Sequence, residues 1–334
     1  MKVAIIGASG AVGREMVRDL SDSKLEIGTL GLFASPRSAG QSISFRDKSF
    51  IVQAFSLESL KGFDVALMSA GGTFSREWSP KLVELGLIVI DNSSAWRMDE
   101  GVPLVVPEVN SHLIQKLTSG IVANPNCSTI QMVVPLKVLH DEFGLISVEV
   151  STYQSVSGTG QKGISELSSQ MDGHFRLNEP APQVYAHPIA FNLIPAIDKI
   201  DPESGHAFEE VKMIQETRKI LGLADLPVTA TTVRVPVYSC HSESVSVTLG
   251  RKVTRSEVFE VLKAAKSMTV TLGSTYEELM TPRAFAGQRG VSVSRIRLPF
   301  GESSSAKVQF WVVADNLKKG AATNAVQILE RIKK

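Results

Sequence analysis

Cys127 is one of only two cysteines in the 334-residue chain, and its surroundings suit a reactive thiol. The run Val122-Ala123-Asn124-Pro125-Asn126-Cys127-Ser128-Thr129 leads into apolar residues at helical spacing: Ile130, Val133, Val134, Val138 and Leu139. Asn126 is a good helix N-cap, and Ser128 and Thr129 suit a first turn. A helix starting here sets the sulfur beside unpaired backbone N–H groups and the positive end of the helix dipole. Both lower a thiol pKa from about 8.5, and the thiolate is the form that attacks a carbonyl carbon. The window alone leaves a second reading open, a packed thiol acting as a small hydrophobe.

Three further windows could complete such chemistry. Arg234-Val-Pro-Val-Tyr-Ser-Cys240-His241-Ser-Glu-Ser offers an anion-binding guanidinium and an imidazole seven residues apart. His241 could take the thiol proton and return it to a hemithioacetal oxygen, although a histidine alone is as well read as a structural residue. Tyr153-Gln154-Ser155-Val156-Ser157-Gly158-Thr159-Gly160 ends a strand in a glycine-rich turn and presents Gln154 and Ser157. Gly158 and neighbouring N–H groups are candidate oxyanion donors. Glu209 and Lys212 fall at i and i+3 on one helix face, where a solvated ion pair is the simpler reading.

A hydride acceptor is suggested by Gly7-Ala8-Ser9-Gly10-Ala11-Val12-Gly13, directly after the strand Val3–Ile6 and opening a helix with Met16, Val17 and Leu20. Glycines there let backbone approach a pyrophosphate at a helix N-terminus. The second strand runs into Ser35-Pro36-Arg37-Ser38 with no carboxylate, so Ser35, Arg37 and Ser38 suit the extra phosphate of NADP, where NAD would want an acidic residue.

Alternating strands and helices must carry these groups. Strand-like runs at Ile27–Phe33, Val65–Ser69, Ile88–Ile90, Leu104–Val106 and Ile121–Ala123, with helical stretches at Glu77–Leu85 and Ser111–Leu117, predict a parallel sheet covered on both faces. After Phe143 the pattern changes. Val148–Ser157, Val245–Leu249, Val291–Leu298 and Lys307–Ala314 suit a mixed or antiparallel sheet, joined by a helix at Phe208–Leu221. A final amphipathic helix is expected over Gly320–Ile332. Pro135 predicts a kink or early break in the helix after Cys127. The expected division is 1–127 plus 315–334 for the nucleotide domain and 128–314 for the catalytic one.

Composition narrows the class. Hydrophobic residues at 43% and charged ones at 21% are ordinary for a globular chain, and its length favours a two-domain enzyme. A net charge of +1 without basic tracts gives no sign of a nucleic-acid partner. No apolar run approaches a membrane span of about 20 residues. Two distant cysteines and six scattered histidines give no disulfide framework and no metal cluster. A reduced, cytoplasmic protein is expected.

Nine segments, GASGAVG, SAGG, DNSSAWR, VPLVVPEVN, NPNCST, YQSVSGTG, EEVKM, RVPVYSCHSES and DNLKKGAATNAVQ, occur in this order. Together they resemble the aspartate-β-semialdehyde dehydrogenase family across nearly the whole chain. The resemblance implies a Rossmann-type dinucleotide-binding domain with a parallel sheet, plus an α+β catalytic and dimerisation domain whose mixed sheet is largely antiparallel. It implies Cys127 as the nucleophile, His241 as acid/base and Gln154 as the group that orients substrate and thiol. It matches Arg234 to the substrate α-carboxylate, Glu209 to its ammonium, and Lys212 and Arg97 to phosphate, with Asn110 or Asn126 as polar neighbours. Gly7, Ser9, Gly10, Ala11, Val12, Ser35, Arg37, Ser38, Ser157, Gly158 and Asn316 fall at cofactor positions, the cofactor being NADP. The implied reaction interconverts L-aspartate 4-semialdehyde and L-4-aspartyl phosphate with inorganic phosphate, in the biosynthesis of threonine, methionine and lysine. A homodimer, or a dimer of dimers, is implied as well. N-acetyl-glutamyl-phosphate reductase is the alternative, sharing architecture and cysteine chemistry. Cys240 departs from the small residue common before the histidine and could compete with Cys127 for thiol reagents.

Overall fold

The computed structural model describes residues 1–332, and the chain folds as two units, Met1–Asn126 with Gly320–Lys334, and Cys127–Lys319. Compared with the division drawn from pattern, Cys127 and residues 315–319 fall in the second unit. Residues 333 and 334 of the expected C-terminal segment lie outside the described residues.

The first unit contains β1 (Lys2–Ile6), α1 (Ala11–Asp22), β2 (Thr29–Ala34), a hairpin of β3 (Ser42–Phe45) and β4 (Lys48–Ile51), β5 (Gln53–Ala54), β6 (Val65–Met68), α2 (Gly72–Glu84), β7 (Ile88–Asp91), α3 (Pro107–Asn110) and β8 (Gly120–Ala123). Six strands form a parallel sheet in the order β5-β2-β1-β6-β7-β8. Their near-continuous apolar runs are what a sheet buried on both faces requires. Val3, Ile5, Val65, Leu67, Ile88 and Ile90 pack under Met16, Val17 and Leu20 of α1 and under Val326 and Leu329 of the C-terminal helix, Thr323–Arg331. Ala4, Ile6, Ala66, Met68 and Val89 pack on the other face beside Leu82 of α2. Chain order reverses direction between β1 and β6, the crevice where open sheets of this kind bind nucleotides.

Two expectations here need correction. Leu104–Val106 is not a strand; Leu104 makes only a single bridge, to Ala123. Pro103 and Pro107 flank the run, and Pro107 instead opens α3. The helix expected at Ser111–Leu117 is a short 3₁₀ turn, Ser111–Ile114.

The second unit contains α4 (Cys127–Phe143), β9 (Leu145–Gln154), α5 (Gln161–Phe175), α6 (Phe208–Leu221), β10 (Val228–Arg234), β11 (His241–Val253), α7 (Arg255–Ala264), β12 (Met268–Val270), α8 (Pro282–Phe285), β13 (Val291–Arg297) and β14 (Ser305–Ala314). Its sheet order is β10-β9-β11-β14-β13-β12. The central pairs are antiparallel and the two edge strands join in parallel.

Pro135 does not break α4, which runs unbroken for 17 residues. An interior proline costs about 3 kcal/mol. Against that, every residue from Ser128 to Leu136 is buried, including Ile130, Met132, Val133, Val134 and Leu136. Each such apolar side chain contributes about 1.5–3 kcal/mol, so packing wins over the local cost.

Candidate active site

In the first unit, the turn after β1 is one that only glycine can build at two positions. Gly7 has φ +87°, and a Cβ there would lie 2.2 Å from the Ser69 carbonyl oxygen; one on Gly13 would lie 2.1 Å from the Gly7 oxygen. Gly10 N–H donates to Gly7 C=O at 3.0 Å, and α1 begins at the next residue. The N–H groups of Ser9, Ala11 and Val12 thus open a helix whose first turn has no i−4 acceptors, a ready anion site. At the end of β2, Ser38 N–H donates to Ser35 C=O at 2.9 Å, and Ser35 and Arg37 are exposed. Among the described residues no acceptor holds the Arg37 guanidinium. The turn therefore fits a dinucleotide pyrophosphate, and Arg37 fits an additional phosphate.

Arg97 and Asn126 also lie in the first unit and both are buried. Arg97 donates through Nε to Asn124 C=O at 3.0 Å and through Nη2 to Asn92 C=O at 3.1 Å. Asn110, considered as a polar neighbour, serves its own loop: it accepts from Val106 N–H at 3.0 Å and donates to Leu104 C=O at 2.9 Å.

In the second unit, strand register assembles what the sequence scatters. Arg234 pairs with Gln154 across β10 and β9. Ser242 pairs with Tyr153 across β11 and β9, so continuing that antiparallel register by one residue sets His241 opposite Gln154. Opposed residues point to one face of a sheet, so Arg234, Gln154 and His241 form one row at its end. Helices α4 and α6 pack on this sheet. Cys127 is the first residue of α4, half-buried, with Asn126 immediately before it as expected for a helix start.

His241 is fully buried. Its Nδ1 accepts from Ser155 N–H at 3.1 Å and lies 3.1 Å from Ser155 Oγ. A nitrogen that accepts from a backbone N–H carries no hydrogen, which assigns the neutral ring's proton to Nε2. Nε2 has no hydrogen-bond partner among the described residues. Burial first, and the Arg234 charge second, hold this imidazole well below its ordinary pKa, so the ring is neutral at pH 7. Arg234 is itself buried and donates through Nη1 to Ser155 C=O at 2.7 Å.

Gln154 Nε2 lies 3.3 Å from Thr152 Oγ1 and 3.4 Å from Glu209 Oε1. Glu209 reaches this place because its neighbour Glu210 ties α6 to β10. Glu210 accepts from Ala207 N–H at 2.9 Å and from Thr232 N–H at 3.0 Å. Lys212 Nζ stands 3.4 Å from Glu209 and 2.8 Å from Asp198. Burial lowers the Lys212 pKa, but Glu209 and Asp198 more than offset that and the ammonium is held above its ordinary value. The pair read from i, i+3 spacing is thus part of a triad whose third member, Asp198, carries no sequence signal.

Ser157 and Asn316 lie in a buried network. Ser155 Oγ and Ser157 Oγ each reach Asn316 Oδ1 at 3.0 Å, and Cys240 N–H donates to the same oxygen at 3.1 Å. Gly158 N–H donates to Ser155 C=O at 3.2 Å, so it is taken up by the turn and is not an open oxyanion donor. What Gly158 supplies is space: a Cβ there would lie 2.9 Å from Arg234 Nη1 and 3.3 Å from His241 Nε2. Cys240 is fully buried at φ +68°, a backbone region that disfavours side chains, which accounts for small residues suiting the position. Burial and the Asp315 charge push its thiol up to about 12, which disfavours the thiolate form that reagents capture. Among the described residues no metal-binding cluster occurs and no helix is long and apolar enough to cross a membrane.

Two family models match: semialdehyde dehydrogenase NAD binding domain over residues 2–117, and semialdehyde dehydrogenase dimerisation domain over residues 136–319. Aspartate-semialdehyde dehydrogenase of Aquifex aeolicus is 47% identical over 100% of this chain and 98% of its own. That of Bacillus subtilis is 44% identical over the same shares. The crystal structure of aspartate semialdehyde dehydrogenase II from Vibrio cholerae superimposes with a TM-score of 0.93 at 40% identity, covering 98% of this chain and 97% of that one. A second structure of that protein, complexed with ASA, gives the same TM-score. With a match of this extent over both units, the chain belongs to the aspartate-semialdehyde dehydrogenase family.

Proposed function

We propose that this protein catalyses the reversible, NADP-dependent and phosphate-requiring interconversion of L-aspartate 4-semialdehyde and L-4-aspartyl phosphate through a thioester on Cys127. The observation that carries this reading is the row Arg234–Gln154–His241, with Glu209 within reach of Gln154. Arg234 takes the substrate α-carboxylate, for which a planar fork is suited. Glu209 takes the ammonium, Gln154 orients the reacting carbonyl, and Lys212 and Arg97 hold phosphate, with Asn126 as a polar neighbour.

Toward the acyl phosphate, the Cys127 thiolate adds to the aldehyde carbon and the carbonyl π pair moves onto oxygen. The helix N-terminus supports the thiolate, and His241, whose neutral ring carries its proton on Nε2, donates to that oxygen. NADP, when bound, supplies the hydride acceptor for the carbon. Gly7, Ser9, Gly10, Ala11 and Val12 would hold its pyrophosphate, Ser35, Arg37 and Ser38 its 2′-phosphate, and Ser157, Gly158 and Asn316 complete its contacts. Phosphate oxygen then bonds the thioester carbon, the C–S bond breaks, and the electron pair returns to Cys127 as thiolate. In the reverse sense the enzyme makes the semialdehyde used toward threonine, methionine and lysine.

A homodimer is supported by the dimerisation-domain match over 136–319, and two unbridged cysteines suit the cytoplasm. The alternative substrate, an N-acetylated glutamyl phosphate, has no free ammonium and gives Glu209 nothing to pair. The test is turnover of both semialdehydes with NADP or NAD, each with and without phosphate. Faster turnover of the acetylated substrate, or turnover independent of phosphate, would overturn the assignment.

A further inference from the structure

Helix α5 buries one face, Gly163, Glu166, Leu167, Gln170 and Gly173, whose spacing follows the helical repeat. Covering that face is the run 178–194, which forms neither helix nor strand. Irregular backbone has no ladder of its own to satisfy its N–H groups, so side-chain acceptors fix its course. Glu166 Oε2 accepts from Gln183 N–H at 2.8 Å and from Val184 N–H at 2.6 Å, and its Oε1 accepts from Tyr185 N–H at 3.3 Å. Gln170 Oε1 accepts from Ile189 N–H at 2.8 Å and from Ala190 N–H at 3.1 Å. The two glycines are notches for the same run. A Cβ on Gly163 would lie 2.5 Å from Tyr185 Oη, and one on Gly173 would lie 2.6 Å from the Asn178 carbonyl oxygen.

The run so fixed reaches Arg234 by two routes. Ile194 exchanges backbone hydrogen bonds with Arg234, at 3.0 and 2.9 Å. Tyr185 sets its ring centroid 5.9 Å from the Arg234 guanidinium carbon, within the reach of about 6 Å for a cation–π contact. The Tyr185 hydroxyl donates to Thr159 Oγ1 at 3.0 Å, and the ring packs with Val156, Leu167 and Ile189. Tyr185 and Arg234 line a cavity of about 360 Å³ together with Thr159, Ile197, Asp198 and Lys199. Ser155 C=O takes Arg234 Nη1, while Nε and Nη2 make no hydrogen bond among the described residues.

We propose that Tyr185 is a positioning residue for the substrate anchor Arg234, held at its post by Glu166. The proposal rests on the reading of Arg234 as the group that takes the α-carboxylate. A long side chain keeps much rotamer freedom unless its neighbours remove it. Ser155 fixes one guanidinium nitrogen and the Tyr185 ring bounds the group, so Nε and Nη2 are left in a set direction for a planar carboxylate. Helix α5 thereby tunes substrate affinity through the run it holds, without touching substrate.

The test measures kcat, KM for L-aspartate 4-semialdehyde, KM for phosphate and thermal midpoint on the full-length enzyme. Tyr185→Leu should raise KM for the semialdehyde about three- to thirtyfold, the range of a cation–π contact. KM for phosphate and kcat should stay within about threefold, the pattern of lost uniform binding. Tyr185 is half-buried, so this variant should melt near the wild type. Tyr185→Phe keeps the ring and should stay within about threefold throughout. Glu166→Gln places an amide donor against one of the three N–H groups and should raise the same KM while sparing that for phosphate. On an Arg234→Leu background the Tyr185→Leu change should add less than about twofold. A folded Tyr185→Leu or Glu166→Gln variant with wild-type KM for the semialdehyde overturns the proposal. So does a Tyr185→Leu variant that raises both KM values alike, or one whose full loss persists without Arg234. Arg234→Leu alone keeps the two readings apart: an unchanged semialdehyde KM there would refute the carboxylate anchor, whatever the Tyr185 variants do.

Discussion

Gly158→Ala is the smallest change that presses on two functional groups at once. The new methyl carbon would lie 2.9 Å from Arg234 Nη1, 3.2 Å from His241 Cε1 and 3.3 Å from His241 Nε2, where ordinary contact begins at 3.4 Å. Arg234 must retreat by the difference between 3.4 and 2.9 Å, about half an ångström. Its bond to Ser155 C=O, now 2.7 Å, leaves little slack to absorb this. His241 has less room still, because it is fully buried and held at Nδ1 by Ser155. Displacements of this size cost about 10- to 100-fold in rate, or roughly 1.4–2.7 kcal/mol. Gly158 has no positive φ, so the backbone tolerates alanine and the thermal midpoint should fall by only a few degrees. In steady-state assays of NADP reduction, kcat should fall and KM for the semialdehyde rise, with KM for phosphate moving less. A folded variant with both constants within twofold of wild type would refute the placement of Arg234 and His241 at the reacting groups.

Other consequences are equally direct. Arg37→Ala removes a charge-assisted contact worth about 1.5 kcal/mol or more and should raise KM for NADP about tenfold, leaving KM for NAD unchanged; an unaltered ratio contradicts the phosphate reading. Burial holds the Glu243 carboxyl well above the usual carboxylate range, so above about pH 4.5, where the unfolded chain ionises, the native state binds the extra proton and stability falls as pH rises. Glu243→Gln should therefore gain thermal midpoint over wild type progressively as pH rises above about 5, at most about 1.4 kcal/mol per pH unit, and a gain independent of pH would contradict the raised carboxyl. Buried neutral His241 gives the opposite slope, its contribution being lost as pH falls below about 6.5, the unfolded value. Peptide mapping after brief iodoacetamide treatment at pH 8 should find Cys127 modified and Cys240 untouched, since the Cys240 thiol is buried and ionises at about 12.

Local pattern carried much of the architecture. Helix α6 occupies the expected Phe208–Leu221, because apolar spacing marks its body and Gly222, left-handed at φ 70°, marks its end. The glycines at 7 and 13 announce their turn because a close approach there leaves no alternative residue. The row Arg234–Gln154–His241 was legible only as two separate windows. Its assembly depends on the pairing of β10, β9 and β11, and register is a property of the whole sheet. Ser155 and Asp198 gave no signal, because common polar residues acquire meaning only through burial and partners. Leu104–Val106 and Pro135 failed in opposite senses. In the first case flanking prolines outweighed β-branched residues, and in the second tertiary packing outweighed a proline.

Whether the substrate is ever bonded to Cys127 can be read by mass. The enzyme mixed with L-aspartate 4-semialdehyde and NADP in the absence of phosphate should release about one equivalent of NADPH per site and then stall, the thioester having no phosphate to cleave it. Acid quenching and peptide mass analysis should find the aspartyl group on Cys127 and nowhere else, and Cys127→Ala should show neither burst nor adduct. A burst with Cys127 unmodified, or a burst in the alanine variant, would contradict thioester catalysis at this residue.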